Sequence, residues 1–183
     1  MTILTPFEKK DYQFYLNYKE NFYKCKGTVT IDEKKFTFNN LKGLVDSGKG
    51  VWPYKHEWVW SSLTSSINGV DFCWNLGFGF GDLSNATENM IFFNRKAIPL
   101  GEIEANIDYN NQAIQPVFIK DKNGIFEAKL EPIFDHFTHT DFIWVHNKCH
   151  QVFYKASGLF KINNKTFHFK DITCFLEHAN NQW

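Results

Sequence analysis

Glu88 and His150 are the residues of this sequence best suited to transferring protons, because each lies in a polar stretch beside apolar, strand-like segments. A carboxylic acid beside an imidazole can act as a general acid–base pair if burial brings their pKa values towards neutrality. We predict that Glu88 protonates or hydrates a double bond and that His150 takes the proton back. Two alternatives stay open: both residues bind a ligand without chemistry, or both satisfy backbone polar groups at the mouth or corner of a barrel.

Further residues are predicted to complete this site by binding the ligand. They are Trp58, Trp60, Asn75, Asp82, Thr87, Asn89 and Gln151. The polar ones have the same alternative role of satisfying backbone groups. The two tryptophans can instead belong to the core or, if they are exposed, form a platform on which a sugar stacks.

The segment that must position these residues is 72–81, in which aromatic or leucine side chains occupy every second position. Cys73, Asn75 and three glycines lie between them, so the alternation predicts a strand with one aromatic face and one nearly bare face. The polar segment 82–89 follows directly, and a bare strand face beside carboxylates and amides can hold a ligand. The glycines lie within the strand and not before a helix, so they are not a dinucleotide-binding fingerprint. They indicate a bend at a barrel corner or the close approach of a ligand.

A second strand-like segment places Lys55 and Glu57 on one face and His56, Trp58 and Trp60 on the other. The charged face is either a solvated surface or a paired Lys–Glu couple inside a barrel, where pairing offsets the cost of desolvation.

His136 and His139 have the spacing of one pair of zinc ligands, but no second pair of strong ligands accompanies them. We therefore interpret residues 135–141 as a polar loop joining two strands, and we predict neither a metal nor a cofactor.

The turn signals predict an all-β protein of roughly ten antiparallel strands, either a barrel or a β-sandwich. Asp32-Glu33, Asn68-Gly69 and Asn163-Asn164 each separate two strand-like segments, and Asn-Gly is a strong hairpin signal. No repeat or linker interrupts this pattern, so we expect one domain over residues 1–183.

The first 23 residues are predicted to form a short helical or irregular segment packed on the sheet. Residues 5–8, Thr-Pro-Phe-Glu, have the pattern of a helix start with a capping box. Phe14, Tyr18 and Phe22 follow at four-residue spacing, which fits one face of a helix.

Composition supports β structure and excludes several functions. Aromatic residues make up 18% of the sequence, and they favour strands. Lys+Arg and Asp+Glu number 20 each, so the basic excess typical of a nucleic-acid binder is missing. The apolar runs are too short to span a bilayer, and the N-terminus does not read as a secretory signal. With four cysteines that form no disulfide framework, we expect a cytoplasmic protein with reduced thiols; its oligomeric state is left open.

Several motifs together resemble a known family. They are GVWPY at 50–54, WVW at 58–60, NLGFGFGD at 75–82, ATEN at 86–89, PIFD at 132–135, HQVF at 150–153, SG at 157–158 and the tail 177–183. From about residue 27 onward, the sequence resembles the C-terminal half of the bacterial family called domain of unknown function 2804. Members of that family are longer and carry an N-terminal half for which this sequence has no counterpart.

The resemblance implies a lipocalin-like, or calycin-like, antiparallel barrel, related to proteins that carry or act on lipids and terpenoids. On this basis we expect an apolar or amphipathic small molecule to bind inside the barrel. An acid–base enzyme on a similar molecule, such as a hydratase, cyclase or isomerase, is the second hypothesis. A structural or interaction domain with a filled core is the third, so whether the protein is an enzyme stays open.

Overall fold

The structure, a computed structural model, describes residues 1–7, 12–108 and 114–183. Within these ranges the chain forms twelve strands. They are β1 (Thr2–Pro6), β2 (Phe14–Ile31), β3 (Lys34–Val51), β4 (Lys55–Ile67), β5 (Val70–Phe78), β6 (Met90–Phe93), β7 (Lys96–Pro99), β8 (Ile103–Ala105), β9 (Val117–Asp121), β10 (Phe126–Phe142), β11 (Val145–Ile162) and β12 (Lys165–Gln182). All strand pairs are antiparallel, and they form a small sheet, β1-β2-β3, and a large sheet, β7-β6-β5-β4-β12-β11-β10-β9-β8. The prediction of an all-β protein is confirmed.

The N-terminal helix is the part of the fold prediction that is wrong. Residues of the predicted helix lie in β1 and β2, and Glu8, which was to complete the capping box, lies outside the described residues. Residues four apart share a face in a strand as well as in a helix, so the spacing of Phe14, Tyr18 and Phe22 fits both. Long-range pairing decides between them, because β2 pairs with β3 from Phe14 to Ile31 and with β1 on its other edge.

The three predicted hairpin turns are confirmed. Asp32-Glu33 joins β2 to β3, Asn68-Gly69 joins β4 to β5, and Asn163-Asn164 joins β11 to β12. Both residues of each turn have positive φ, between 47° and 78°. This is the geometry of the two-residue turns whose twist matches that of the flanking strands.

The large sheet curls strongly. Its two edge strands, β7 and β8, are joined by residues 100–102, which span at most about 14 Å. A flat sheet of this order would separate them by roughly 38 Å. The curl also brings Trp74 of β5 within 5.4 Å of Phe126 of β10, measured between ring centroids, although three strands lie between these two.

Asp121 at the end of β9 fixes the region where the sheet edges meet. Its side chain is 3% exposed and accepts hydrogen bonds from the backbone N–H groups of Ile125 and Phe126, at 2.7 Å each, and of Asn123 at 3.1 Å. The N–H of Gly101, in the connection between the edges, donates at 3.4 Å to Oδ2, the same oxygen that accepts from Asn123. One buried carboxylate therefore ties the β9–β10 turn to the β7–β8 connection.

The concave face of the large sheet, called here the core face, is filled by side chains. Fully buried residues on it include Phe72, Trp74, Leu130 and Phe160, and the rings of Phe72 and Phe160 stack at 5.0 Å. A small cavity of about 20 Å³ lies beside His150 on this face, and it can hold about one water molecule. Buried aromatic side chains thus occupy much of the volume in which the sequence predicts a ligand chamber, and ligand binding inside the barrel stays a prediction.

Residues 135–141, interpreted above as a loop, lie within β10. His136 pairs with Gln151 and His139 with Lys148 of β11, and the turn comes later, at Ile143-Trp144. Continuous pairing with β11 explains the difference, because each backbone group finds a partner across the hairpin.

The described part of the chain contains no helix that could cross a membrane. Cys25, Cys73, Cys149 and Cys174 are all free thiols, in agreement with the expectation from the sequence.

Candidate functional site

A buried ion pair joins the two sheets. Lys19 of β2 is 3% exposed, and its Nζ lies 2.7 Å from Oε2 of Glu88 in the segment before β6. The carboxylate of Asp46 on β3 lies 3.8 Å from the same ammonium group, which also sits 4.1 Å from the ring centroid of Trp60. Almost no lysine is buried in this way without partners. Here two carboxylates and an indole face offset the loss of water.

The bare face of β5 positions Glu88. The amide Nδ2 of Asn75 donates to Oε2 of Glu88 at 2.9 Å and to its backbone oxygen at 3.0 Å. Oδ1 of Asn75 in turn accepts from Nε1 of Trp60 at 2.8 Å. Gly77 makes the room, because a Cβ there would overlap the Glu88 carboxylate. The alternation therefore has a concrete meaning within β5: Phe72, Trp74, Leu76 and Phe78 pack on the core face, and Asn75 and Gly77 on the other face receive Glu88. Phe80 lies beyond the end of the strand and lines the inter-sheet cavity instead.

A cavity of about 140 Å³ opens beside this ion pair, between the small sheet and the convex face of the large sheet. It is called the inter-sheet cavity below, and its lining combines aromatic walls with charged groups. The residues are Tyr15, Asn17, Lys19, Asp46, Trp52, Trp58, Trp60, Phe80, Glu88 and Glu177.

Glu177 of β12 closes the far side of the cavity. Its carboxylate accepts hydrogen bonds from Nε1 of Trp58 at 2.7 Å and from Nε2 of Gln151 at 2.9 Å. Both tryptophans predicted as ligand-binding residues thus line the cavity with their N–H groups already bonded. Their half-buried rings form part of the apolar wall of the cavity.

Burial shifts the acidity of two groups that line the cavity. The pKa of Tyr15 is raised to about 12, first because burial disfavours the phenolate and then because Asp46 and Glu88 repel it. Burial also raises the pKa of Asp46, against the opposing effect of Lys19, and Glu88 adds to the rise. Asp46 therefore retains a proton at higher pH than an exposed aspartate does.

Asn89 and Thr87 have structural positions next to the cavity. Oδ1 of Asn89 accepts from the N–H of Gly77 at 2.8 Å, and its amide donates to the carbonyl of Gly101 at 3.2 Å. Thr87 Oγ1 accepts from the N–H of Asn89 at 3.4 Å. These bonds hold the Glu88 segment against β5, so both residues position the site without lining the cavity.

Asp82 lies outside the cavity, in the exposed turn after β5. Its carboxylate accepts the N–H of Ser84 at 2.9 Å, and this bond is the main reason that the pKa of Asp82 is lowered. The structure gives it the role of a turn residue.

His150 is not brought next to Glu88. Gln151 reaches Glu177 on the convex face of β11, and successive strand residues point to opposite faces, so His150 points to the core face. There its Nδ1 lies 2.7 Å from Oδ2 of Asp135, and its ring stacks on Phe137 at 4.3 Å. The proton exchange predicted between Glu88 and His150 therefore has no geometric support.

The sequence reasoning missed the partners of Glu88 on the small sheet. Tyr15, Asn17 and Lys19 alternate along β2 and face the cavity, and Asp46 pairs directly across from Lys19. The alternation was present in the sequence as a signal of one strand face. Lysine and asparagine side chains are ordinarily solvated, so their alternation does not by itself predict a buried face. The aromatic residues at positions 14, 18 and 22 indicate the opposite face as the buried one.

Two larger concavities accompany the inter-sheet cavity. One, called the outer cleft, has about 480 Å³ and is lined by Phe7, Pro53, Lys55, His56, Glu57, Gly79, Gly81 and Asn180. The other is a groove of about 600 Å³ along β8 to β11, bordered by Phe118 and by the exposed pair Lys120–Glu104. Although this groove is the larger, its charged groups are solvated, whereas the inter-sheet cavity surrounds a buried cation. Lys55 and Glu57 lie on the opposite strand face from Trp58, as predicted.

The comparisons with known proteins agree with this fold. The family model described as a domain of unknown function (DUF2804) matches residues 1–183, so the match includes the first 26 residues as well as the part expected from the motifs. Among curated proteins, no sequence matches this chain. A crystal structure of kievitone hydratase from Nectria haematococca is similar in fold, with a TM-score of 0.54 and 14% identity. The likeness covers 98% of this chain and 55% of that one, so this chain spans about half the length of that protein.

Proposed function

Because the chain belongs to the DUF2804 family, whose description names no activity, we propose its function from the site: it binds an amphipathic small molecule in the inter-sheet cavity. The observation that carries this proposal is the nearly buried Lys19 beside a cavity with aromatic walls. Structural ion pairs of this kind are ordinarily packed against neighbouring atoms. Here an open volume adjoins the pair instead.

The size of the cavity indicates which part of the ligand enters. An engineered cavity of about 150 Å³ in another protein binds benzene. The inter-sheet cavity, at about 140 Å³, therefore suits one six-membered ring or a branched apolar group of that size. Trp52, Trp58 and Phe80 provide the apolar surface against which such a group packs. A longer ligand extends beyond the cavity.

The charges of the lining indicate the polar end of the ligand. Among the described lining residues, the carboxylates of Asp46, Glu88 and Glu177 face one ammonium group, that of Lys19. This balance repels an anion and favours a neutral hydroxyl group or a cation. The proposed ligand thus has a ring or similar apolar body and a neutral or positively charged polar group.

Three probes with the same ring test this proposal: benzylamine, benzyl alcohol and benzoate. Each is titrated while the tryptophan fluorescence is recorded, since Trp52, Trp58 and Trp60 line the cavity. We expect affinity in the order benzylamine, benzyl alcohol, benzoate. Glu88→Gln is expected to weaken benzylamine binding about tenfold, as the loss of one charged partner does. Glu131→Gln, an exposed change on β10, serves as the control.

The proposal fails if none of the three probes causes a saturable fluorescence change. It also fails if Glu88→Gln binds benzylamine as tightly as the wild-type protein does. Far-ultraviolet circular dichroism serves to check that the variant keeps its strands, so that a loss of binding can be attributed to the missing charge and not to unfolding.

A second candidate function is hydration of a double bond in a ligand of the same class. The raised pKa of Asp46 supports it, because burial favours the protonated carboxylic acid, which is the form that acts as a general acid. Asp46 would protonate one carbon, water would add to the other, and Glu88 would accept the proton that this water loses. No electrons are transferred overall. The solved structure of similar fold is named a hydratase, which makes the reaction worth testing.

The test of this second function uses a vinyl-substituted phenol, whose conjugated absorbance disappears on hydration. Asp46→Asn is expected to abolish turnover while leaving benzyl alcohol binding intact. If the wild-type protein forms no product at a saturating concentration of the probe, hydration of this substrate class is refuted. The binding proposal is not affected by that result.

A further inference from the structure

His56 has an unusual hydrogen-bonding state. Its side chain is 8% exposed, and its Nδ1 lies 3.0 Å from the carbonyl oxygen of Pro53. A carbonyl only accepts, so Nδ1 must carry the proton of the neutral ring. Burial lowers the pKa of His56 and so favours that neutral ring. Nε2 is then left as a bare acceptor, and it is buried with no hydrogen-bond partner.

Aromatic rings surround this imidazole. It stacks on Trp58 with centroids 5.7 Å apart, and the rings of Trp52 and Phe80 meet it edge to face at 5.3 and 5.9 Å. Trp183 is nearest, at 4.4 Å, and its side chain is half exposed. A buried acceptor without a partner costs free energy, so one placed in an aromatic cluster calls for an explanation.

The outer cleft supplies the explanation. At about 480 Å³ it falls within the usual size range of small-molecule sites, and His56 is part of its lining. Gly79 and Gly81 leave its rim without side chains, and both have positive φ, so other residues are disfavoured there. The half-exposed Trp183 ring packs against the imidazole, and a ligand ring that takes its place has to displace this indole.

We propose that the outer cleft binds a hydroxyl-bearing aromatic group, whose O–H donates to Nε2 of His56 while its ring replaces the Trp183 indole on the aromatic cluster. The donor must be on the ligand because Nε2 can only accept. A flat ring is required because the neighbours of His56 are the faces and edges of other rings. The two sites have different lining residues, but Trp52, Trp58 and Phe80 both surround His56 and line the inter-sheet cavity, so the two sites share an aromatic wall. The inference rests on His56 and the outer cleft, and it does not require that a ligand binds in the inter-sheet cavity.

A matched pair of probes tests it: a naphthol and its methyl ether, which differ only in the hydroxyl donor. We expect wild-type protein to bind the naphthol roughly fivefold to tenfold more tightly, the effect of one hydrogen bond to a buried acceptor. His56→Phe keeps a ring in the cluster and removes the acceptor, so the ratio should fall to about one, while far-ultraviolet circular dichroism confirms that the variant is folded. His139→Phe, on exposed β10, should keep the ratio.

Nitrogen-15 NMR of wild-type protein provides a readout that needs no variant. We expect the Nδ1–H tautomer for His56 and a shift of its Nε2 resonance with the naphthol but not with the ether. An Nε2–H tautomer, or equal affinities for the two probes, overturns the proposal. So does a preference for the naphthol that persists in folded His56→Phe.

Discussion

Replacing Lys19 by methionine tests whether the ion pair is as buried as the structure places it. Methionine keeps most of the apolar stem and removes the ammonium group. Glu88 and Asp46 then lose the cation at 2.7 and 3.8 Å, and the Trp60 face loses its contact at 4.1 Å. The carboxylates are left facing each other beside a small cavity.

The expected cost follows from the burial of each group. Removing one partner of a buried ion pair costs about 3–5 kcal/mol. Glu88 is 20% exposed and Asp46 29%, and Glu88 keeps its bond from Asn75, so some hydration is regained. We therefore expect the lower end, about 3 kcal/mol. With a urea m-value of about 2 kcal/mol/M, the unfolding midpoint should fall by about 1.5 M.

The assay is urea denaturation of four proteins: wild type, Lys19→Met, Glu88→Gln and the double variant. Because the double variant removes the closest carboxylate together with the cation and leaves only Asp46 without its partner, it should be more stable than the sum of the single losses predicts, by about 2 kcal/mol. Lys120→Met is the matched control, since Lys120 pairs with Glu104 at 3.0 Å but is 67% exposed. It should lose less than about 1 kcal/mol. A Lys19→Met variant as stable as this control, with additive effects in the cycle, would refute the reasoning.

Three more outcomes are expected. Burial raises the pKa of Tyr15 to about 12, so Tyr15→Phe should remove one phenol that titrates near pH 12 from the tyrosinate absorbance curve, and an unchanged curve contradicts this. Because this folded-state pKa lies above the ordinary value of about 10, the Tyr15 contribution to stability is complete below about pH 10 and is lost as the pH rises towards 12. Gly77→Ala should displace Glu88, abolish benzylamine binding and lower the free energy of unfolding by about 2 kcal/mol, as measured by urea denaturation. Gly69→Ala is the control: its Cβ meets no atom within 4 Å and only the positive φ strains it, so this variant should bind benzylamine as the wild type does. Asp121→Ala should lower the free energy of unfolding by about 3 kcal/mol or more, because several buried backbone N–H groups lose their acceptor. A thermal unfolding midpoint equal to that of the wild type would contradict this and show that water replaces the carboxylate.

The hairpins were predictable because their signals are local. Asn68-Gly69 carries its own conformational preference for positive φ, whatever the rest of the chain does. The predicted helix failed for the opposite reason: the spacing of Phe14 and Tyr18 is shared by both structures, and pairing with β3, which follows later in the chain, decided the outcome.

The candidate site was half predictable. Glu88, Asn75 and the bare strand face lie close together in sequence, so their association could be read from alternation and the following polar segment. Lys19 and Asp46 come from the other sheet, and nothing near them in sequence indicates which charged residues a distant strand will bury. The pairing predicted between Glu88 and His150 failed because neighbouring residues of a strand point to opposite faces: Gln151 points to the convex face, where Glu88 lies, and His150 points to the core face.

The division of β4 and β5 into an interior face and a cavity-side face determines which positions can be substituted without unfolding the protein. Val59 and Leu63 fill the interior, whereas Trp58 and Trp60 line the inter-sheet cavity and Asn75 holds Glu88 beside it, so the two sets lie on opposite faces of the strands. Molecular recognition can therefore be diversified at every second position while the intervening positions preserve foldability. A combinatorial library that varies only the positions facing the inter-sheet cavity should yield mostly folded members with altered selectivity. A library that varies the alternate positions, which face the interior, should yield mostly misfolded members.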